Sequence, residues 1–76
     1  MNEVIINTEY VTLGQFLKMV DLIQSGGEAK FFLKENLVSV NGLAETKRGR
    51  KLYKNDKIEI ESYGVYLIQS IFKGEM

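Results

Sequence analysis

A chain of 76 residues has room for one domain, and its ten Lys and Arg residues balance ten Asp and Glu residues to a net charge of +0. The absence of Cys and His excludes thiolate and imidazole metal sites, disulfides, a cysteine nucleophile and a histidine general base. No segment approaches the roughly 18 consecutive apolar residues of a membrane helix, which excludes a membrane protein. Residues 1–3 also lack the basic start of a signal peptide, so we expect one cytoplasmic domain over residues 1–76.

The first third of the chain predicts a short strand followed by a helix. Residues 4–6 are apolar and are typical of an edge strand. Thr12 and Gln15 form a capping-box pattern, in which each side chain accepts a hydrogen bond from an N–H group that the helix leaves unpaired. Apolar residues then recur at helical spacing over residues 13–23. We therefore expect a helix that ends near Gln24.

A second helix is expected directly after the first. Ser25 and Glu28 repeat the capping-box spacing, so almost no loop separates the two predicted helices. An apolar stripe begins at Ala29, and Asn36 stands where a helix often ends in a left-handed residue. The two helices together form a predicted helix-turn-helix pair.

The remaining chain predicts strands, because its apolar period changes from helical spacing to two. Residues 38–40 and 58–60 alternate between apolar and polar side chains, and Asn41-Gly42 is a strong signal for a tight turn. Residues 65–72 form a last predicted strand whose buried face the pattern does not assign. This order of elements predicts an α+β domain, with the helices packed on one face of a small antiparallel sheet.

Positive charge is concentrated in the segment from Lys47 to Lys57. It contains six of the ten basic residues and one acid, which is about +5, whereas the other 65 residues contain four basic and nine acidic side chains. Such a local positive field favours a polyanionic partner. A solvated loop that is charged only for solubility is the alternative, and on charge alone the two interpretations are equally favoured.

Three stretches in a fixed order resemble a known family. They are residues 25–33 (SGGEAKFFL), residues 37–42 (LVSVNG) and, after the basic segment, residues 55–60 (NDKIEI). Over about residues 12–61 the chain resembles the S4 RNA-binding domain, and in particular its small stand-alone bacterial members of the YaaA type. Those members share the double Gly and the Lys-Arg-Gly-Arg loop. Two positions depart from the family pattern: Gly26 replaces a frequent Arg, and Asn55 replaces a turn Gly.

The resemblance implies an S4-like (alpha-L) fold. We expect a non-catalytic, monomeric protein without cofactor or metal. Its implied partner is a folded RNA, ribosomal RNA or transfer RNA, with a role at the ribosome in assembly or rescue. Two alternatives remain open: an adaptor that presents the basic loop to an acidic protein, and a DNA-binding helix pair. An enzyme is the least favoured class, because the acids are scattered without metal-ligand spacing.

The candidate RNA-binding residues combine cations with small and polar residues. Arg48 and Arg50 suit phosphates because a guanidinium donates two parallel hydrogen bonds, whereas a Lys acts as a point charge. Lys30 and Lys34 share one helical face. The full predicted set is Gln15, Lys18, Ser25, Gly26, Gly27, Lys30, Lys34, Lys47, Arg48, Arg50 and Lys51.

Five further assignments depend on where the side chains lie. Gly26 and Gly27 have two equally favoured explanations: they allow an RNA backbone to approach closely, or they allow the two helices to pack tightly. For Gly49, a turn that requires a positive φ is at least as favoured as backbone approach. Phe31 is expected to cover the C-terminal strand and Tyr53 to anchor in the core, with stacking on an RNA base as the alternative for each.

Overall fold

Two short helices pack on a small mixed sheet in the computed structural model, which describes residues 1–74. The predicted α+β class is therefore confirmed. Within the described residues no helix has the length and apolar character that crossing a membrane requires. In chain order the elements are β1 (Asn2–Ile6), β2 (Tyr10–Thr12), α1 (Leu13–Met19), a 3₁₀ turn (Gly26–Glu28), α2 (Ala29–Glu35), β3 (Val38–Val40), β4 (Leu43–Ala44), β5 (Lys51–Tyr53), β6 (Lys57–Ile60) and β7 (Gly64–Ser70).

The main sheet has five strands in the order β1-β7-β6-β3-β4. All neighbours are antiparallel except β1 and β7, which run parallel with Val4 opposite Ile68. The expectation of a purely antiparallel sheet is wrong for this pair. Parallel neighbours need a long connection, and here the whole intervening chain supplies it. A separate two-stranded ribbon of β2 and β5 was not predicted.

The core lies between the helices and the inner faces of the strands. Strand β6 buries Ile58 and Ile60 and exposes the residues between them, as the alternating pattern predicts. In β7 the side chains of Tyr66 and Ile68 belong to the core, which assigns the face that the sequence left open. Phe16 on α1 is fully buried and meets Tyr66 edge to face, with ring centroids 5.4 Å apart. This packing fixes the helices relative to the sheet.

Helix α1 begins as predicted and ends earlier. Both hydrogen bonds of the capping box form between Thr12 and Gln15. The helix ends at Met19 rather than near Gln24, because Asp21 adopts a left-handed conformation with φ of 62°. The N–H groups of residues 21 and 22 then donate to carbonyls of the last turn, each over 3.0 Å, which closes the helix as a Schellman motif.

The junction between the helices is longer than expected, and α2 starts and ends differently. No capping box forms at Ser25, because the Glu28 carboxylate instead accepts hydrogen bonds from the Gln24 N–H and the Ser25 hydroxyl, both over 3.3 Å. Asn36 is extended, with φ of −129°, so the predicted left-handed end is wrong. Its amide caps the helix by donating to the carbonyl of Phe32 over 3.0 Å.

The predicted turn between β3 and β4 is confirmed. Asn41 and Gly42 both have positive φ, 52° and 87°, as a two-residue hairpin turn requires. Asn55, which stands at the family's turn Gly, also has a positive φ of 75°. The last strand ends at Ser70, two residues before its predicted end at Phe72.

Candidate nucleic-acid interface

The first turn of α1 anchors the loop between β4 and β5, residues 45–50, which we call the basic loop. The N–H groups of Leu13 and Gly14 donate to the carbonyls of Arg50 and Arg48 over 2.8 and 2.9 Å. A helix leaves its first N–H groups without partners inside the helix, so these bonds satisfy α1 and hold the loop at the same time. The basic loop therefore lies against the start of α1.

Glu45 gives the basic loop its shape. Its carboxylate accepts hydrogen bonds from the N–H groups of Thr46 and Lys47, each over 3.1 Å, and pairs with the Arg50 guanidinium over 2.8 Å. The hydrogen bond from the Arg50 guanidinium is the largest cause that lowers the pKa of Glu45 below its ordinary value of 4.5, and the hydrogen bond from the Lys47 N–H is the second. Nothing in the sequence spacing singles out Glu45, apart from its position directly before the cationic run.

Arg48 extends from the basic loop to Gly26 and Gly27 between the helices, which we call the glycine corner. Its guanidinium donates to the carbonyl of Gly26 over 3.4 Å. Beside this contact is a cleft of about 310 Å³, which we call the basic cleft, and among the described residues no carboxylate lines it. Its lining residues are Thr12, Gly14, Gln15, Lys18, Gly26, Arg48 and Gly49.

Four of the predicted RNA-binding residues, Gln15, Lys18, Gly26 and Arg48, thus meet in one cleft. The other seven do not line it. Lys34 is exposed on α2 and lines a second groove beside the basic loop, together with Glu45 and Thr46. Of the remaining residues, Gly27 follows Gly26 in the 3₁₀ turn, Arg50 is paired with Glu45, and Ser25, Lys30, Lys47 and Lys51 are exposed.

Three exposed glycines of this region, Gly26, Gly27 and Gly49, have no packing role that the structure requires. A Cβ atom added at Gly26, Gly27 or Gly49 would meet no atom within 4 Å. Tight helix packing is therefore the wrong explanation for Gly26 and Gly27. The positive φ suggested for Gly49 is also wrong, because its backbone lies outside that region. All three positions leave the backbone open to solvent.

The two aromatic side chains that were expected to be buried are exposed. Phe31 is 67% exposed and Tyr53 is 42% exposed. Phe31 lies on a side of α2 away from the buried Ala29 and Leu33. Tyr53 alternates with Leu52 along β5, and it is Leu52 that enters the core.

Comparison with known proteins identifies the family of this chain. The model of the family described as S4 domain matches residues 4–69. The chain belongs to the S4 domain family. This S4 domain is 54% identical over 67 residues to the probable ribosome maturation protein RlbA of Bacillus subtilis (strain 168), a match that covers 88% of this chain and 94% of the relative. No solved structure gives a significant match. The resemblance found over residues 12–61 is thus confirmed, and the matched region is wider.

Proposed function

We propose that this S4 domain is a non-catalytic RNA-binding protein whose basic cleft holds phosphates of a structured RNA. The observation that carries the proposal is the contact between Arg48 and the glycine corner. This contact holds the guanidinium at a concave surface that Lys18 also lines and that has no lining carboxylate among residues 1–74. Phosphate oxygens are the natural ligands of such a surface, and release of counterions from the RNA would supply much of the affinity.

The other cations would extend this surface on both sides. Lys47 is exposed on the basic loop, and Lys30 and Lys34 are exposed on α2. Arg50 would contribute mainly by holding Glu45, because its guanidinium is already paired. A broad cationic surface with few groups placed to read base edges suits recognition of RNA shape and backbone.

We infer that the RNA is ribosomal RNA and that the protein acts in ribosome assembly rather than rescue. The similarity to a probable ribosome maturation protein, over nearly the full length of both chains, supports this choice over transfer RNA. The proposed function, which is binding without catalysis, needs no cofactor or metal. The protein would then act in the cytoplasm as a monomeric single domain.

The salt dependence of RNA binding tests the cationic surface that Arg48 in the basic cleft forms with Lys47 on the basic loop. The double variant Lys47→Ala/Arg48→Ala removes two cations and leaves the Glu45–Arg50 pair intact. If both contact phosphates, the slope of log affinity for a ribosomal RNA fragment against log salt should become shallower by about 1.4 to 1.8, at about 0.7 per phosphate on single strands and about 0.9 on a duplex. Fluorescence anisotropy at several salt concentrations measures this slope, and a thermal melt checks the fold.

A matched control removes the same charge elsewhere. In Lys57→Ala/Lys73→Ala both replaced side chains are exposed and neither lines the basic cleft; Lys57 lies at the far end of the cationic segment and pairs with Glu59 over 4.0 Å. This variant should retain the parent slope. Equal slopes for the parent and the Lys47→Ala/Arg48→Ala variant would refute the proposal. A partner protein captured after nuclease treatment would favour an adaptor, and preference for duplex DNA in competition would favour a DNA-binding module.

A further inference from the structure

The β2–β5 ribbon carries aromatic and cationic side chains on its outer face. Tyr10 lies opposite Tyr53, and Thr12 lies opposite Lys51. The residues between them, Val11 and Leu52, point into the core, so the four outer side chains share the exposed side of the ribbon. Exposure of Tyr10 is 37% and that of Tyr53 is 42%, so neither ring is there to fill the core.

These side chains are held in a defined arrangement. The rings of Tyr10 and Tyr53 have centroids 5.7 Å apart at an angle of 46°. The Nζ atom of Lys51 lies 4.7 Å from the centroid of the Tyr10 ring, within the range of a cation–π interaction. Tyr10 is therefore held in place by two neighbours on an otherwise exposed surface.

Tyr10 also forms one wall of a cleft of about 430 Å³, which we call the Tyr10 cleft. Its lining is largely apolar, and no carboxylate contributes to it among the described residues. Gln15 and Lys18 line both this cleft and the basic cleft, so the two clefts adjoin along α1. The lining residues are Thr8, Tyr10, Val11, Gln15, Lys18 and Met19.

We propose that the Tyr10 cleft receives an unpaired nucleobase of the RNA whose phosphates lie in the basic cleft; this rests on the proposed function. The flat base would stack on the side of the Tyr10 ring that faces the cleft, opposite Lys51, and contact Met19, while Lys18 faces a phosphate in the adjoining basic cleft. The Gln15 amide oxygen already accepts the Thr12 N–H over 2.8 Å, so its NH₂ group remains to donate to an acceptor on the base.

This site defines the class of RNA that the protein prefers. Bases inside a duplex are stacked on each other and cannot offer a face to a side chain. A base can enter the Tyr10 cleft only from a bulge, a loop or a strand end. The preferred ligand is therefore a helix with an unpaired nucleotide next to the phosphates that the basic cleft holds.

Two RNA hairpins that differ by a single bulged nucleotide test the inference. The bulge carries 2-aminopurine, whose fluorescence falls when it stacks. Tyr10→Leu should weaken binding of the bulged hairpin roughly 10-fold and abolish the quenching, with the fully paired hairpin unaffected. Tyr10→Phe keeps an aromatic ring and should bind both hairpins within about 2-fold of the parent.

The matched control is Tyr63→Leu, which removes an exposed Tyr that lines neither cleft. It should not change the preference for the bulge. The inference is overturned if the parent protein binds both hairpins equally without quenching, or if Tyr10→Leu weakens both to the same extent. Failure of the proposed function would look different, because the Lys47→Ala/Arg48→Ala variant would then bind like the parent.

Discussion

Glu45 holds the basic loop in shape through three hydrogen bonds that favour its ionised form. Its folded-state pKa is lowered below 4.5, with the Arg50 guanidinium as the first cause. Its contribution to stability is therefore complete above pH 4.5 and is lost as pH falls through the lower folded-state pKa. We expect Glu45→Gln to reduce the free energy of unfolding by about 1 kcal/mol near neutral pH, and by less in acid. Urea unfolding at a series of pH values measures both effects.

Glu9→Gln serves as the control for this prediction, because Glu9 is an exposed Glu outside the basic loop. Its stability should follow the parent curve across the series. A loss for Glu45→Gln that stayed constant down to strongly acidic pH would show that the carboxylate charge is not what stabilises the loop.

Individual residues were predictable where their role depends on local sequence. Arg48 and Lys18 were predicted as RNA-binding residues because cations and a family motif are visible without knowing the fold, and the structure places both at the basic cleft. The role of Glu45 was not predicted, because it depends on the basic loop folding so that Arg50 pairs with Glu45. Tyr53 was assigned to the wrong face, since strand alternation fixes a face only once the strand is known, and β5 was hidden inside a charged segment.

At the glycine corner, a substitution is expected to change the stability of the fold and the affinity for RNA in opposite directions. Because a Cβ atom at Gly26 or Gly27 meets nothing within 4 Å and neither φ is positive, Ala at each position should stabilise the fold by about 0.4–1 kcal/mol. Gly26 lines the basic cleft, so Gly26→Ala should nevertheless weaken RNA binding. Urea unfolding and anisotropy on the same variant measure the two opposite changes.

Gly27→Ala is the natural comparison, because Gly27 is the next residue and does not line the basic cleft. It should give the same gain in stability with a smaller loss of affinity. Unchanged RNA affinity in Gly26→Ala would mean that the RNA backbone does not approach the corner closely. If both variants were less stable than the parent, the fold itself would require glycine at these two positions.

Local signals correctly predicted the start of α1 and the turn between β3 and β4, but not the start of α2, where the capping-box spacing at Ser25 forms no cap. The Thr12 cap and the Asn41-Gly42 turn are read from side chains that act over three or fewer residues. The end of α1 depends on Asp21 in a left-handed conformation, a position where Gly or Asn is the usual signal. The β2–β5 ribbon escaped prediction because its strands have three residues each and pair across a long stretch of chain.

At the scale of the whole molecule, the pattern predicted two layers but not the path of the chain through the sheet. Alternation showed that β3 and β6 each bury one face, and the register of Val40 opposite Ile58 agrees with that pattern. The parallel pairing of β1 with β7 joins the two ends of the domain. No local sequence pattern predicts this pairing, because it depends on how the helices and strands between β1 and β7 pack together.

Because the net charge of the protein is +0, its attraction for RNA must come from where the positive charges lie and not from the total charge. At physiological ionic strength the field of an exposed charge decays within about 8 Å, so charges away from the contact contribute little. Glu3→Gln/Glu61→Gln raises the net charge by two at exposed positions that line neither cleft. We expect it to change RNA affinity less than about 2-fold, while Lys47→Ala/Arg48→Ala, which lowers the charge by two, reduces affinity by at least about 10-fold. Equal and opposite changes in anisotropy titrations would show that the RNA responds to total charge, and the surface formed by the basic loop and the basic cleft would then have no special role.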